Sequence, residues 1–209
     1  HSARRLLFAL VLAIAAAAGS IGLAAAQDIP MEKLMAPGAL PDIVQGKADA
    51  PVAIVEYGSL TCPHCAAFHA ETWPALKSKY VDAGKVRFIF REFPRDPLDA
   101  AAFMLARCVG PERRDAIVDL LFTSQKDWAF VDKPLRALAG VVKQAGISQN
   151  DFETCLQNQD LYSKVLRARD DAVKDLHIDS TPTFFINGKR LSGEAPIGDF
   201  DKALEPLLK

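Results

Sequence analysis

Val52-Ala53-Ile54-Val55-Glu56-Tyr57, closed by Gly58-Ser59 and followed two residues later by Cys62-Pro63-His64-Cys65, is the stretch on which the reading of this chain turns. The first six residues form a short, β-branched run that predicts a buried strand. A helix is expected to open near Cys62 and run to about Tyr80. Pro63 falls in its first turn, where a missing N–H costs nothing, and Pro74 should kink it. The two thiols therefore stand at a strand-to-helix junction. Free N–H groups and the partial positive charge of a helix N-terminus stabilise a thiolate at Cys62. His64 can add a hydrogen bond or a positive charge on the same side.

Two cysteines at this spacing can also be half of a zinc site. The other cysteines, Cys108 and Cys155, show no paired spacing, and a c-type haem attachment would need His where Ala66 stands. With four histidines, His1 among them, no dedicated metal site is expected. The tetrad reads first as a redox pair.

Outward from the tetrad, Gly84 ends the first unit and residues 86–93 alternate apolar and charged side chains, predicting a second strand stopped by Pro94. Upstream, residues 27–50 are polar and hold Pro30, Pro37 and Pro41, an irregular lead-in with a short strand near 42–45. From Pro97 the period changes to helical, with segments expected at 98–109, 113–123, 133–145, 149–156 and 161–176. A strand at 183–186, an Asn187-Gly188 hairpin turn needing positive φ, a returning strand at 189–191 and a helix at 199–207 complete the chain. The order βαβ, helical block, ββα predicts one α/β layer interrupted by a helical insertion. Trp73 and Trp128 read as core or cap residues, and Arg167-Ala168-Arg169-Asp170-Asp171 as a solvated helix face.

The 209 residues carry 25 Lys plus Arg against 26 Asp plus Glu, a formal net charge of -1. That near-neutral balance argues against a nucleic-acid partner, and half of the residues being hydrophobic argues against disorder. A chain this long buries about 70% of its unfolded surface, so the cysteines are not needed for bulk stability. Arg4 and Arg5, the apolar run over residues 6–18 and Ala24-Ala25-Ala26 have the layout of a secretory signal with cleavage after Ala26. A retained membrane anchor is the competing reading of the same residues. Export places the protein in an oxidising compartment, the periplasm. The expected division is 1–26 signal, 27–94 first part of the α/β fold, 95–160 helical insertion and 161–209 second part.

Val55-Glu56-Tyr57, Cys62-Pro63-His64-Cys65 and Thr181-Pro182-Thr183-Phe184-Phe185-Ile186-Asn187-Gly188 occur in the order found in DsbA-like thiol oxidases, which this chain resembles over essentially all of residues 27–209. The resemblance implies a thioredoxin fold with an inserted helical domain. It implies a cis peptide before Pro182, packed against the active-site pair, with Thr181 and Pro182 offering backbone groups to an extended substrate. It implies that Glu56 is an acid beneath the site that assists proton transfer to the buried cysteine. It also implies a monomer that oxidises newly exported or unfolded proteins with free thiols. A DsbB-like, quinone-linked membrane partner would reoxidise it, with no bound organic cofactor.

Two departures bear on that reading. His69 stands where a close DsbA carries a second acid, with no basic partner for Glu56 evident. Thr181 stands where the nearest oxidases favour Val. As free thiols, Cys108 and Cys155 would be small buried hydrophobes; in an oxidising compartment a second disulfide between them is the expectation, and some DsbA-like proteins resemble that arrangement.

The chemistry expected of the tetrad has a known scale. In the general range of such motifs, DsbA included, lowering a thiol from ~8.5 to ~3.5 favours the reduced form at pH 7 by ~4.8 kcal/mol, or ~100 mV. On this reading the substrate attacks an exposed Cys62, forming a mixed disulfide, while Cys65 leaves. The rivals are an isomerase or reductase on the same fold, and a metal-handling or chaperone-like module using Cys62 and Cys65 as ligands. Dimeric isomerases carry a substantial N-terminal dimerisation domain, and only about two dozen residues are expected between the cleavage site and the first strand.

Overall fold

A computed structural model describes residues 27–209. The export signal expected at 1–26 lies outside the described residues. A short helix α1 (Met31–Leu34) and strand β1 (Val44–Gln45) lead into β2 (Val52–Gly58), α2 (Pro63–Glu71), α3 (Trp73–Leu76) and β3 (Val86–Glu92). Helices α4 (Pro97–Cys108), α5 (Pro111–Thr123), α6 (Gln125–Trp128), α7 (Pro134–Gln144), α8 (Gln149–Leu156) and α9 (Gln159–Leu176) follow. Strands β4 (Thr183–Ile186) and β5 (Lys189–Ser192) and helix α10 (Ile197–Leu204) close the fold.

The sheet order is β1-β3-β2-β4-β5, with β2 parallel to β3 and antiparallel to β4. All seven residues of β2 are buried, as its position at the centre demands. The period of two assigns its side chains to two cores. Val52 and Ile54 face the larger one with Phe68, Phe88, Phe90, Phe184 and Phe200. Val55 and Tyr57 face a smaller one that Ala172 and Leu176 of α9 cover. This arrangement is the thioredoxin fold with a helical insertion.

The helix expected to run from Cys62 to Tyr80 with a kink at Pro74 is instead divided. It stops at Thr72, resumes as α3 and ends in a π-turn over Lys77–Val81. Pro74 has no N–H to give to Ala70 and its ring crowds that carbonyl, so the chain restarts a helix with Pro74 in the first turn. Buried Thr72 at the break donates its hydroxyl to Ala195 O at 2.9 Å. The insertion helices fall within two residues of expectation, α10 ends three residues early at Leu204, and α1 and α6 were not anticipated. At the hairpin Asn187 and Gly188 take φ of 46° and 88°, and a Cβ on Gly188 would collide with Ile29 O.

Cys108 and Cys155 are joined as a disulfide that ties α4 to α8 across 47 residues of sequence. Closing a loop of that length removes up to about 4 kcal/mol of unfolded-state entropy, and native strain usually reduces the gain. Replacing both by Ala should therefore lower stability by ~2–4 kcal/mol in a denaturant titration, leaving the sheet's secondary structure intact.

Candidate active site

β2 ends at Gly58 and the chain turns through Ser59, Leu60 and Thr61 into α2, with Cys62 as its N-cap residue. Among the described residues these four turn positions are tied from the insertion side. Buried Asp99 of α4 accepts Ser59 Oγ at 2.5 Å, Leu60 N at 2.8 Å and Arg95 N at 2.9 Å. Burial pushes the Asp99 carboxyl up to about 7 even though Ser59 and the two backbone donors oppose the shift. Thr61 Oγ1 donates to Asp96 at 2.9 Å. Gln125, 4% exposed on α6, donates the two N–H bonds of its side-chain amide, to Leu60 O at 2.8 Å and Cys62 O at 3.0 Å. Gln125→Ala strands the Leu60 carbonyl at a cost of roughly 1–3 kcal/mol and leaves Cys62 O with only its helical bond from Ala66 N. The variant should lose that stability and show faster hydrogen exchange through residues 59–62.

The two thiols have opposite environments. Cys65 is fully buried, one turn into α2, where it accepts Ser59 N at 3.5 Å. Burial first, then its hydrogen bond to Cys62 and the charge of Glu56, push its thiol well above the ordinary range. Cys62 is held down to about 4. The Cys65 thiol donating to it is the largest cause, opposed by burial and helped by the Thr181 contact and the backbone N–H groups of Cys65 and His64. Those N–H groups are the unsatisfied donors of the helix N-terminus.

Three expectations change here. Cys62 is not exposed: only 2% of its surface is open, because the loop of Thr181 and Pro182 lies against it, with Thr181 O 3.5 Å from its sulfur. His64 turns its ring outward, placing Nδ1 3.2 Å from Glu194, so its backbone N–H rather than its imidazole serves the thiolate. Glu56, fully buried on the larger-core face of β2, does have a partner: His69 Nε2 lies 3.0 Å from its Oε2. One turn of helix separates Cys65 from His69 and brings both onto the face that packs against β2. The peptide before Pro182 is cis, Pro182 is buried and its carbonyl accepts Gly193 N at 2.9 Å, while Pro63 occupies the exposed first turn of α2.

Sequence reasoning did not reach Gln125, Asp99 or the His69 pairing. The helical period was read from Pro97 onward, and the Asp96 side chain before it caps Asp99 N at 2.8 Å, but nothing local announces that Asp99 reaches back to Ser59. Among the described residues no group of three or more His, Cys, Asp or Glu is placed to hold a metal ion.

A polarised cysteine pair at the N-terminus of α2, facing a cis-proline loop, defines a dithiol–disulfide site on a thioredoxin fold. The thioredoxin family model matches residues 39–206, and the chain belongs to the DsbA-like oxidoreductases of that family. It is 38% identical over 170 residues to a Rickettsia typhi protein named as a protein-disulfide oxidoreductase, covering 80% of this chain and 62% of that protein. The chain thus spans about three fifths of the length of the Rickettsia relatives it matches. The solved structure of Wolbachia pipientis alpha-DsbA1 superposes with a TM-score of 0.77 and 30% identity over 85% of this chain and 96% of that one. A Novosphingobium aromaticivorans structure named as a protein-disulfide isomerase gives 0.71 and 26% over 81% and 100%.

Proposed function

We propose that this protein is a periplasmic thiol:disulfide oxidase that passes its Cys62–Cys65 disulfide to exported proteins. The observation that carries this is the opposite displacement of the two thiols, Cys62 down and Cys65 up. A substrate thiolate attacks Cys62 Sγ, a substrate–Cys62 bond forms, the Cys62–Cys65 bond breaks, and Cys65 departs with the electron pair and takes a proton. The substrate's second thiolate then displaces Cys62, which leaves as the stabilised thiolate. Two electrons have passed from substrate to protein. Because so little of Cys62 is open, an incoming chain engages the backbone beside Thr181 and Pro182 before its sulfur reaches Cys62. A DsbB-like, quinone-linked membrane protein restores the disulfide. The protein works as a monomer in this cycle, and residues 95–160 act as the inserted domain that supports the site.

Thr181 and the similarity to an isomerase-named structure favour a second reading, isomerase or reductase action on the same fold. The two separate in one experiment. Oxidised protein mixed with a reduced two-thiol peptide should oxidise it stoichiometrically, and Cys65→Ser should accumulate the peptide mixed disulfide at Cys62. Efficient repair of a scrambled substrate without net oxidation establishes the isomerase instead.

A further inference from the structure

We propose that His69 is a positioning residue that carries the Cys65 proton between Glu56 and the open groove beside α2, a role that rests on the exchange reaction above. His69 Nε2 and Glu56 Oε2 lie 3.0 Å apart, with side chains 5% and 0% exposed. Each of these groups also keeps one buried atom with no hydrogen-bond partner among the described residues, Glu56 Oε1 and His69 Nδ1. Buried polar atoms are almost always partnered, so two unpartnered atoms on one hydrogen-bonded pair call for an explanation. Two unpartnered atoms flanking one hydrogen bond are what a relay needs: an acceptor at one end and a proton port at the other.

The ring is also held in place. It stacks on Phe122 with centroids 4.2 Å apart and meets Phe90 edge-on at 5.8 Å. His69 lines a groove of about 920 Å³ between α2 and the α5–α6 corner. The charged groups facing it are Glu56 from β2, Asp119 from α5, Lys126 and Asp127 from α6 and Glu71 from its own helix, while β3 presents Phe90. Asp119 is exposed and gives protons arriving from solvent a place to pause next to the ring.

The step balances. When the Cys62–Cys65 bond breaks, the Cys65 thiolate takes a proton through Glu56, which receives it from His69 Nε2–H and is left as the carboxylate it was, while His69 takes one at Nδ1 from the groove. Reoxidation runs the same path outward. Burial makes Cys65 a strong base at rest, which gives the inward transfer its direction.

The test is stopped-flow reduction of the oxidised protein by dithiothreitol across about pH 5 to 9, the range that brackets imidazole ionisation. His69→Gln keeps an amide that can bond Glu56 yet cannot change protonation state. It should slow Cys65 release by about 10²-fold, the low end for a lost proton-transfer group, and erase the imidazole inflection in the pH profile. Glu56→Gln combined with His69→Gln should be no slower than Glu56→Gln alone, and imidazole added to His69→Ala should restore rate through the groove. A wild-type rate and pH profile in His69→Gln overturns the relay. Wild-type protein that reacts no faster than a simple disulfide removes the exchange reading itself, a distinct result. Should the variants fail to fold, ¹⁵N spectra of the wild-type imidazole decide: the relay requires the His69 midpoint to differ between dithiol and disulfide forms, and equal midpoints overturn it.

Discussion

Unfolded in guanidinium at pH 7, the dithiol form should draw about 4 kcal/mol of stability from Cys62 that the disulfide form lacks. The figure follows from a thiol held at about 4 instead of 9.0, of which only the three units below ambient pH count, at 1.36 kcal/mol per unit. The folded value is the depressed one, so the contribution is fully present above the unfolded thiol's range and disappears as pH falls through about 4. Cys65 does not disturb this, because burial keeps it neutral in the folded state and an unfolded thiol is neutral too below about pH 8. Closing the short ring removes chain entropy from the unfolded disulfide form, which shifts the difference by an amount independent of pH. The slope is therefore the decisive quantity: the stability gap should shrink by about 1.4 kcal/mol per unit between roughly pH 8 and pH 5. At about 30 mV per 1.4 kcal/mol, the same shift raises the reduction potential at pH 7 by about 90 mV. A flat difference across that range would falsify the polarised-thiol account and with it the oxidase direction.

Arg114→Ala should destabilise both redox forms equally, by about 3–5 kcal/mol, leaving the gap between them unchanged. Arg114 is fully buried on α5 and lies 3.4 Å from Glu92, which is 2% exposed at the end of β3. Arg107 holds the same carboxylate with two bonds of 2.7 and 3.0 Å, and Arg114 also bonds Phe90 O and Asp115. Burial pushes Glu92 upward, but the charges of Arg114 and Arg107 outweigh it and hold the group below its ordinary value. Removing one guanidinium leaves a buried anion underpaid for its lost hydration. Because the folded value is depressed, the wild-type contribution is present above the ordinary carboxylate range and lost as pH falls. In Arg114→Ala that loss should begin at higher pH, which acid titration of ellipticity would reveal. An unchanged acid midpoint would place the energy of this cluster elsewhere.

The architecture was legible because its signals are local. The β-branched run of β2, the alternation of β3 and the Asn187-Gly188 turn each declare an element without knowledge of its neighbours. The division of the long helix at Thr72 was less so, since Pro74 allows either a bend or a restart and the choice depends on where Thr72 finds the Ala195 carbonyl. The site was half legible. Cys62, Cys65 and Pro182 carry a spacing and an order that can be read, whereas His69 meets Glu56 only after a strand and a helix are packed face to face. Gln125 was invisible for the same reason: its worth lies in two carbonyls more than sixty residues away. The burial of Cys62 was also hidden, because the loop that covers it comes from the far end of the chain.

The margins of the sheet bear on what such a protein must refuse. β1 is two residues long, and β5 carries Lys189 and Arg190. Ile29 N already occupies Gly188 O at 2.8 Å, Asp28 takes Arg190 N at 3.0 Å, and the Arg190 side chain bonds Leu176 O. A strand margin with its donors and acceptors already engaged and its side chains charged is a poor template for a stray chain. On the proposed function, unfolded clients would bring extended backbone to every encounter. With β1 only two residues long and the β5 margin engaged, the rim beside the cysteines would be left as the favoured berth, and recognition would be confined to the place where the sulfur chemistry happens.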